Sequence, residues 1–128
     1  MSISCYERRS APRVAAAHLV AYRELGDHPL TGFPGLVGLG ATIDLSDVGM
    51  RCWCTEELPV GHYLKIQLAI GEAVLQLNGR VVHGSAADAR YILGVAFERV
   101  AAADGSVLSR YLRSALAFQR TDLFLPVR

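Results

Sequence analysis

The chain has 128 residues, of which 52% are hydrophobic and 20% charged, and its formal net charge is +1. This length and composition predict one folded domain with a hydrophobic core and exclude a disordered chain. The small net charge excludes a protein that attracts nucleic acid or acidic partners through its overall field, so local clusters of charge are more informative.

No segment reaches the roughly 20 apolar residues needed to cross a bilayer, and residues 1–9 lack the apolar stretch of a signal peptide. We therefore expect a cytoplasmic protein without membrane insertion. The chain has three cysteines, Cys5, Cys52 and Cys54, and an odd number argues against a disulfide framework. No second paired-cysteine motif accompanies Cys52 and Cys54, so we predict buried free thiols and no metal site.

The first third of the chain gives conflicting signals. Residues 1–13 are polar, carry several charges and a proline, and show no apolar periodicity, which is typical of an arm outside the core. Residues 14–25 are alanine-rich, and propensity alone favours a helix there. Residues 26–40 contain repeated glycines and two prolines, which predicts a long loop.

From residue 42 onwards the sequence alternates with the period of a β-strand. In residues 42–46, Ile43 and Leu45 are expected to face the core, and the polar side chains to face away from it. Four further segments are predicted strands. They are 50–55, 64–70, 75–81 and 91–97. A hairpin reversal is expected at 71–72, and 84–90 reads as a polar loop.

The period changes near the C-terminus. Apolar residues recur at helical spacing from Val107 to Leu116, which predicts one amphipathic helix of about 14–16 residues capped by Asp104 or Ser106. Short strands followed by one helix predict a mainly β domain, a small closed antiparallel barrel with a C-terminal helix. We expect an arm over 1–13, the barrel and helix over 14–119, and a tail over 120–128.

Arginines are concentrated in the arm, at Arg8, Arg9 and Arg13. A guanidinium group is planar and always charged, offers forked donors to phosphate or to a guanine edge, and stacks on flat rings. A ligand that holds both phosphates and guanines would use all of these properties. The alternative is a solvated basic flank, because exposed arginines are common.

A second cluster follows the first predicted alternating strand. Alternation places Asp44 and Ser46 on the same face, away from the core, where a carboxylate can accept guanine N–H donors and a hydroxyl can bind phosphate or base. Gly49 permits a positive φ or the close approach of a ligand to the backbone. The alternative is a simple turn, since aspartate and serine side chains also bond to nearby backbone.

Together the two clusters read Arg9-x-x-x-Arg13 and then Asp44-x-Ser46-x-x-Gly49. This combination resembles the RxxxR and [D/N]xSxxG signature of the PilZ family. The resemblance extends over about residues 7–116. It includes the turn at 58–61, the segment 79–82 and the segment 94–97.

The resemblance implies a six-stranded antiparallel barrel with a C-terminal helix, in which 14–25 is the first strand despite its alanines. It implies a receptor for the bacterial second messenger cyclic di-GMP, with roles in motility or biofilm regulation, and no cofactor. Arg9 and Arg13 would clamp the guanine edges and phosphates. Asp44 and Ser46 would hydrogen-bond the ligand, and Gly49 would leave room for it. In the family, the position of Arg8 is associated with one ligand or a stacked pair, and arginine is compatible with the pair.

Three functions remain open at this point. In the first, the arm folds over the bound nucleotide and an unidentified effector protein reads the new surface, the chain being a monomer or weak dimer. In the second, a ligand-independent PilZ-like adaptor acts through protein contacts alone. The third, catalysis by Cys52 or Cys54, lacks a histidine base placed beside either thiol, so we expect no enzyme. Nucleic-acid binding is also not expected, because the basic residues are too dispersed.

Overall fold

The computed structural model describes residues 13–27 and 37–124, with side chains up to residue 117. Within these ranges, seven strands precede one helix in chain order. They are β1 (Val14–Ala15), β2 (Leu19–Gly26), β3 (Val37–Leu45), β4 (Gly49–Cys54), β5 (Tyr63–Ile70), β6 (Ala73–Ala87), β7 (Arg90–Glu98) and α1 (Ala102–Phe124).

Six of the strands form a closed antiparallel barrel. The neighbours run β2, β5, β6, β7, β4 and β3, and β3 returns to pair with β2. The two-residue β1 pairs with the far end of β3, beyond the part that β2 occupies. Closure gives each long strand a partner on both sides and so removes exposed sheet edges. The predicted six-stranded barrel with a C-terminal helix is confirmed.

The core lies inside the barrel and beneath the helix. Inward side chains of the strands alternate with exposed ones, as in Leu64, Ile66, Leu68 and Ile70 of β5. On α1, Leu108 and Leu112 are buried, and Val107, Tyr111, Ala115 and Leu116 pack against the same cluster. The helical stripe predicted from the sequence is therefore the face that meets the barrel.

The helix is longer than the sequence indicated. It begins at Ala102, ahead of both expected caps, and reaches Phe124, so part of the expected tail is helical. Asp104 lies in the first turn, where the positive end of the helix dipole stabilises a carboxylate. Across the described ranges, no helix combines the length and the apolar character needed to span a membrane.

The alanine-rich segment forms strands, as the family resemblance implied. Between β1 and β2 the ladder is interrupted at residues 16–18, and the side chain of Thr42 spans the gap. Its hydroxyl accepts a hydrogen bond from the backbone N–H of His18 at 2.8 Å and donates one to the carbonyl of Ala16. These contacts satisfy backbone groups that a broken ladder would leave buried without partners.

His18 also fastens this segment to the helix. Its Nε2 lies 2.8 Å from the hydroxyl of Tyr111, and the two rings meet edge to face at 5.0 Å. Burial lowers the pKa of His18, although a contact with the backbone of Ala69 opposes the shift. The start of the barrel and the middle of α1 are thus joined by one polar contact within an otherwise apolar seam.

The prediction for residues 42–46 was wrong at Thr42, which is buried instead of facing away from the core. The cause is a β-bulge at Ile43, because Thr42 pairs with Cys52 while Asp44 pairs with Arg51. One extra residue reverses the alternation, so that Thr42 faces inward with Cys52 whereas Asp44 shares the outer face with Arg51. The bulge leaves no signal in the hydrophobic pattern.

The predicted loop at 26–40 was too long, because β3 already begins at Val37. Gly38 and Gly40 are strand residues whose missing side chains allow close packing. A Cβ at Gly38 would lie 2.4 Å from the hydroxyl of Tyr22, and one at Gly40 would lie 2.0 Å from the carbonyl oxygen of Trp53. Residues 28–36 of that loop lie outside the described part of the chain.

The predicted polar loop at 84–90 was also wrong, because β6 and β7 continue to a two-residue turn at 88–89. From residue 82 to 86 the side chains on both faces of β6 are exposed. This end of the hairpin therefore projects beyond the core, and a strand exposed on both faces lacks the alternation that marks a half-buried one.

Replacement of Gly40 by alanine should destabilise the domain by roughly 1–3 kcal/mol, because the new methyl group would clash with the backbone of Trp53, which cannot shift without disturbing the sheet. The matched control is Gly84→Ala on β6, where the nearest atom would lie 3.7 Å away, an ordinary contact. We expect the control to stay within about 0.5 kcal/mol of the parent chain. Urea unfolding of the three proteins measures the difference, and equal midpoints would contradict this packing account.

Candidate functional site

One carboxylate holds two guanidinium groups at the turn between β3 and β4. Arg13 Nη1 donates to Asp44 Oδ1 at 2.8 Å. On the other side, Arg51 Nε donates to Asp44 Oδ2 at 2.8 Å, and Arg51 Nη2 forms an ion pair with the same oxygen at 2.7 Å. The three side chains form the Arg13–Asp44–Arg51 cluster, which brings together residues from before β1, from β3 and from β4.

The strand register explains this cluster. The bulge at Ile43 places Asp44 directly opposite Arg51, and side chains directly opposite in an antiparallel pair share one face. On the other edge of β3, Ala15 lies opposite Asp44, so the chain just before β1 runs past the carboxylate and brings Arg13 to it. The two arginines therefore reach Asp44 from opposite sides.

The cluster buries its negative charge and exposes its positive charges. The side chain of Asp44 is 11% exposed, whereas those of Arg13 and Arg51 are 38% and 50% exposed. Burial by itself would raise the pKa of Asp44, but the hydrogen bonds and charges of Arg51 and then Arg13 outweigh it and hold that pKa below its usual value. The carboxylate stays ionised at neutral pH, and the surface offers two partly exposed cations held in place.

Ser46 is fully buried and not on the open face that strand alternation predicted. Its hydroxyl accepts a hydrogen bond from the backbone N–H of Val48 at 3.2 Å and donates to the carbonyl of Gly49 at 3.3 Å. These bonds shape the β3–β4 turn, as serine hydroxyls do in tight turns. In this structure Ser46 therefore supports the turn that carries Asp44 and Arg51.

Gly49 also has a packing role. Its φ is not positive, and a Cβ at this position would lie 2.4 Å from the carbonyl oxygen of Val95 on β7. The glycine lets β4 lie close to β7 where the barrel closes. Arg8 and Arg9, the other expected ligand residues, lie outside the described part of the chain.

Sequence reasoning missed Arg51, which makes one of the two hydrogen bonds to Asp44 in the cluster and a further ion-pair contact. A usable signal existed, because Arg51 is two residues beyond Gly49 and breaks an apolar strand. Between the buried Met50 and Cys52, a charged residue has to point away from the core.

Sequence reasoning also missed an aromatic contact next to the cluster. Trp53 follows Arg51 on the outward face of β4, one strand repeat of roughly 7 Å away. The guanidinium carbon of Arg90 lies 4.3 Å from the centre of the Trp53 ring, which is a cation–π arrangement. The outer face of β4 therefore presents Arg51 and, next to it, the ring of Trp53, on which Arg90 stacks.

The two cysteines within the described ranges, Cys52 and Cys54, do not offer a reactive thiol. Cys52 and Cys54 are both free and buried inside the barrel. Burial raises the pKa of Cys52 to about 12 and also raises the pKa of Cys54, so the thiolate that a nucleophile requires is disfavoured. Among the residues with described positions, no group of three or more histidine, cysteine or acidic side chains is arranged to hold a metal ion.

Removal of the Arg51 guanidinium in Arg51→Ala should raise the pKa of Asp44, because the burial of the carboxylate would be less well compensated. In the parent chain the depressed pKa contributes stability above the ordinary carboxyl pKa, and this contribution is lost as the pH falls through the folded-state value. A carbon-detected NMR titration of the Asp44 carboxyl measures the shift. The control is Arg80→Ala, which removes a guanidinium that lies over the ring of Tyr63 and is not part of the cluster. An unchanged Asp44 pKa in Arg51→Ala would contradict the assignment.

Comparison with known proteins places this geometry in context. The sequence model of the PilZ domain matches residues 7–114. A solved structure described as the PilZ domain of YcgR from Escherichia coli with c-di-GMP is similar, with a TM-score of 0.67, 18% identity, and coverage of 91% of this chain and 97% of that one. Full YcgR with c-di-GMP gives a TM-score of 0.70 at 21% identity and 91% coverage of this chain. The present chain covers 49% of that longer protein, or about half its length.

A third similar structure is the PilZ domain of CeSA from a cellulose-synthesizing bacterium, with a TM-score of 0.57, 17% identity, and coverage of 81% of this chain and 97% of that one. No curated protein shows a significant sequence match. At these identities the structural likenesses establish the fold, while the match over residues 7–114 covers most of the sequence. The chain therefore belongs to the PilZ domain family.

Proposed function

We propose that this protein binds cyclic di-GMP at the Arg13–Asp44–Arg51 cluster and relays the binding event to an effector protein. The observation that carries the proposal is the buried Asp44 carboxylate, which fixes two partly exposed guanidinium groups in one place. Two of the similar structures, both of YcgR, are complexes with c-di-GMP.

The charge and hydrogen-bonding capacity of the cluster suit this ligand. Two positive charges against one negative leave a net positive site for a molecule with two phosphates, and guanidinium groups bind phosphate and guanine edges well. Asp44 Oδ1 and Oδ2 each accept one hydrogen bond, and Arg51 Nη2 also forms an ion pair with Oδ2. An ionised carboxylate has about four lone-pair sites, so Oδ1 retains capacity for a guanine N–H donor.

The remaining motif residues complete the proposed site. Arg9 and Arg8 precede Arg13 in the chain, and we assign them to the phosphates and guanine edges of the bound nucleotide. Ser46 and Gly49 act in this proposal chiefly by holding the β3–β4 turn in shape, since the Ser46 hydroxyl is already engaged with backbone. The ligand is a signal and not a cofactor.

The relay follows from where Arg13 sits in the chain. It comes directly before β1, and the adjoining residues 16–18 are tied to β3 by Thr42 and to α1 by the His18–Tyr111 contact. We propose that the arm closes over the nucleotide when Arg8, Arg9 and Arg13 engage it. An effector protein would then read the combined surface of arm and ligand, an order–disorder type of switch.

Isothermal calorimetry with cyclic di-GMP tests the binding step. We expect saturable binding by the parent chain and a loss of about ten-fold or more in affinity for Arg13→Ala and for Asp44→Asn, because each removes charge-assisted hydrogen bonds. The double variant Arg9→Ala/Arg13→Ala should bind below detection. Arg80→Ala, which removes an arginine outside the cluster, is the matched control and should bind like the parent. Absence of measurable binding by the parent chain would refute the proposal.

A ligand-independent adaptor is the competing function. It finds support in the fact that the Arg13–Asp44–Arg51 cluster is internally paired without any ligand. Co-purification of a tagged chain from cells that contain or lack cyclic di-GMP separates the two functions. A receptor should retain its effector in only one of the two states, whereas equal recovery in both would favour the adaptor.

A further inference from the structure

Three exposed apolar side chains share one outer face of the barrel. Leu19 on β2 and Val37 and Leu39 on β3 are between 60% and 62% exposed. They are three of the seven large apolar side chains exposed in the described part of the chain, and their two strands pair with each other. Scattered exposed apolar residues need no explanation, but a group on paired strands marks a surface that another molecule covers.

The strand register makes these residues part of a larger surface. Leu19 lies opposite Ala41, and Ala41 lies opposite Trp53, so an apolar row crosses β2, β3 and β4. Leu39 lies opposite Ala21 one step further along the strands. We call this group, with Val37, the apolar face. Its side chains point outward, because they alternate with the buried Val20 and Tyr22 of β2.

A shallow depression of about 300 Å³ adjoins the apolar face between β2, β5 and β6. Two exposed cations line it, Arg23 on β2 and Lys65 on β5, together with the amides of Gln67 and Gln76. Arg23 and Lys65 lie directly opposite each other in the register. Like charges in that position destabilise a sheet, and within the described ranges neither has an acidic partner.

We propose that the apolar face and its depression form a docking surface for an acidic amphipathic helix of a partner protein. The apolar side of such a helix would cover Leu19, Val37 and Leu39. Its acidic residues would reach Arg23 and Lys65 and relieve their mutual repulsion. A helix is the fitting element because the barrel is closed and offers the face of a sheet instead of an edge, and helices pack on sheet faces.

The charge pair and the shape argue against other occupants. In a two-fold dimer the same patch would meet itself, which brings the cations of one copy towards those of the other. A membrane surface would favour a protruding apolar surface with more basic residues, whereas this one is concave and has two. The proposal does not depend on nucleotide binding, although Trp53 connects the surface to Arg51 and hence to the proposed nucleotide site.

Fluorescence anisotropy with two labelled helical peptides tests the proposal. The first peptide has leucine and alanine on one side and glutamate on the other, and the second has lysine in place of glutamate. We expect saturable binding of the acidic peptide only. Arg23→Glu/Lys65→Glu should reverse the preference, and Leu39→Ser should weaken binding of the acidic peptide about ten-fold or more. The matched control is Val82→Ser, an exposed valine on β6 away from this surface, which should leave binding unchanged.

Several results would overturn the docking surface. Equal binding of both peptides, or an unaltered peptide preference in Arg23→Glu/Lys65→Glu, would contradict recognition of an acidic helix. A concentration-dependent dimer that Leu39→Ser abolishes would identify a second copy of the chain as the occupant. Sedimentation with phosphatidylserine vesicles that the charge reversal abolishes would identify a membrane as the occupant. Unfolding midpoints and the calorimetric affinity for cyclic di-GMP are measured for every variant. A folded variant that retains nucleotide binding but loses the acidic peptide supports the docking surface, and a chain that binds the peptide without the nucleotide refutes only the proposed function.

Discussion

The site depends on one extra residue in β3. Because Ile43 bulges out of the β3–β4 ladder, Thr42 turns inward and Asp44 turns towards Arg51. Thr42 then bonds to the backbone of Ala16 and His18, and this anchors the segment that follows Arg13. Without the bulge, Asp44 would share the inward face of Thr42, two residues before it, and would point into the core, where an ionised carboxylate is costly. Bulges of this kind re-aim side chains beside functional sites in many sheets.

A buried anion organises the surface cations around it. The Asp44 carboxylate is the common acceptor for arginines from two separate parts of the chain. An arginine loses considerable side-chain entropy when it is held in one position, and here that cost is met within the protein before any ligand arrives. The Arg13–Asp44–Arg51 cluster is therefore preorganised on the β3–β4 side. Attachment of the same chain segment to α1 through His18 and Tyr111 links the site physically to the helix.

The sequence predicted the larger features because they follow from the hydrophobic pattern. The alternating segments at 64–70 and 75–81, the reversal at 71–72, and the apolar helical stripe all follow directly from side-chain periodicity. The strand at residues 19–26 did not, because it overlaps the alanine-rich stretch 14–25, whose propensity favours a helix. It forms a strand because it pairs on both sides, with β3 and with β5, and tertiary pairing outweighs local propensity.

The site itself was only partly predictable. Motif reasoning identified Arg13 and Asp44, whose contact joins residues far apart in sequence, but it placed Ser46 on the wrong kind of surface and omitted Arg51. The Ser46 error arises because a bulge and a serine-stabilised turn alter which face a side chain occupies without altering the composition. Arg51, in contrast, was recognisable as a charged residue between two buried strand residues. Gly38 and Gly40 were interpreted as loop residues for a similar reason, because the close contacts that require glycine involve partners distant in sequence.

The most direct test of the account is an NMR titration that follows the Arg13 and Arg51 Nε–Hε signals as cyclic di-GMP is added. The account predicts saturable shifts of both signals, accompanied by shifts in the backbone amides of residues 44–51. The Lys65 and Gln67 amides on the β5 side should remain unchanged in the same spectra. Saturable shifts that leave Arg13, Arg51 and residues 44–51 unaffected, or no shifts at all, would contradict the claim that this cluster is the nucleotide site.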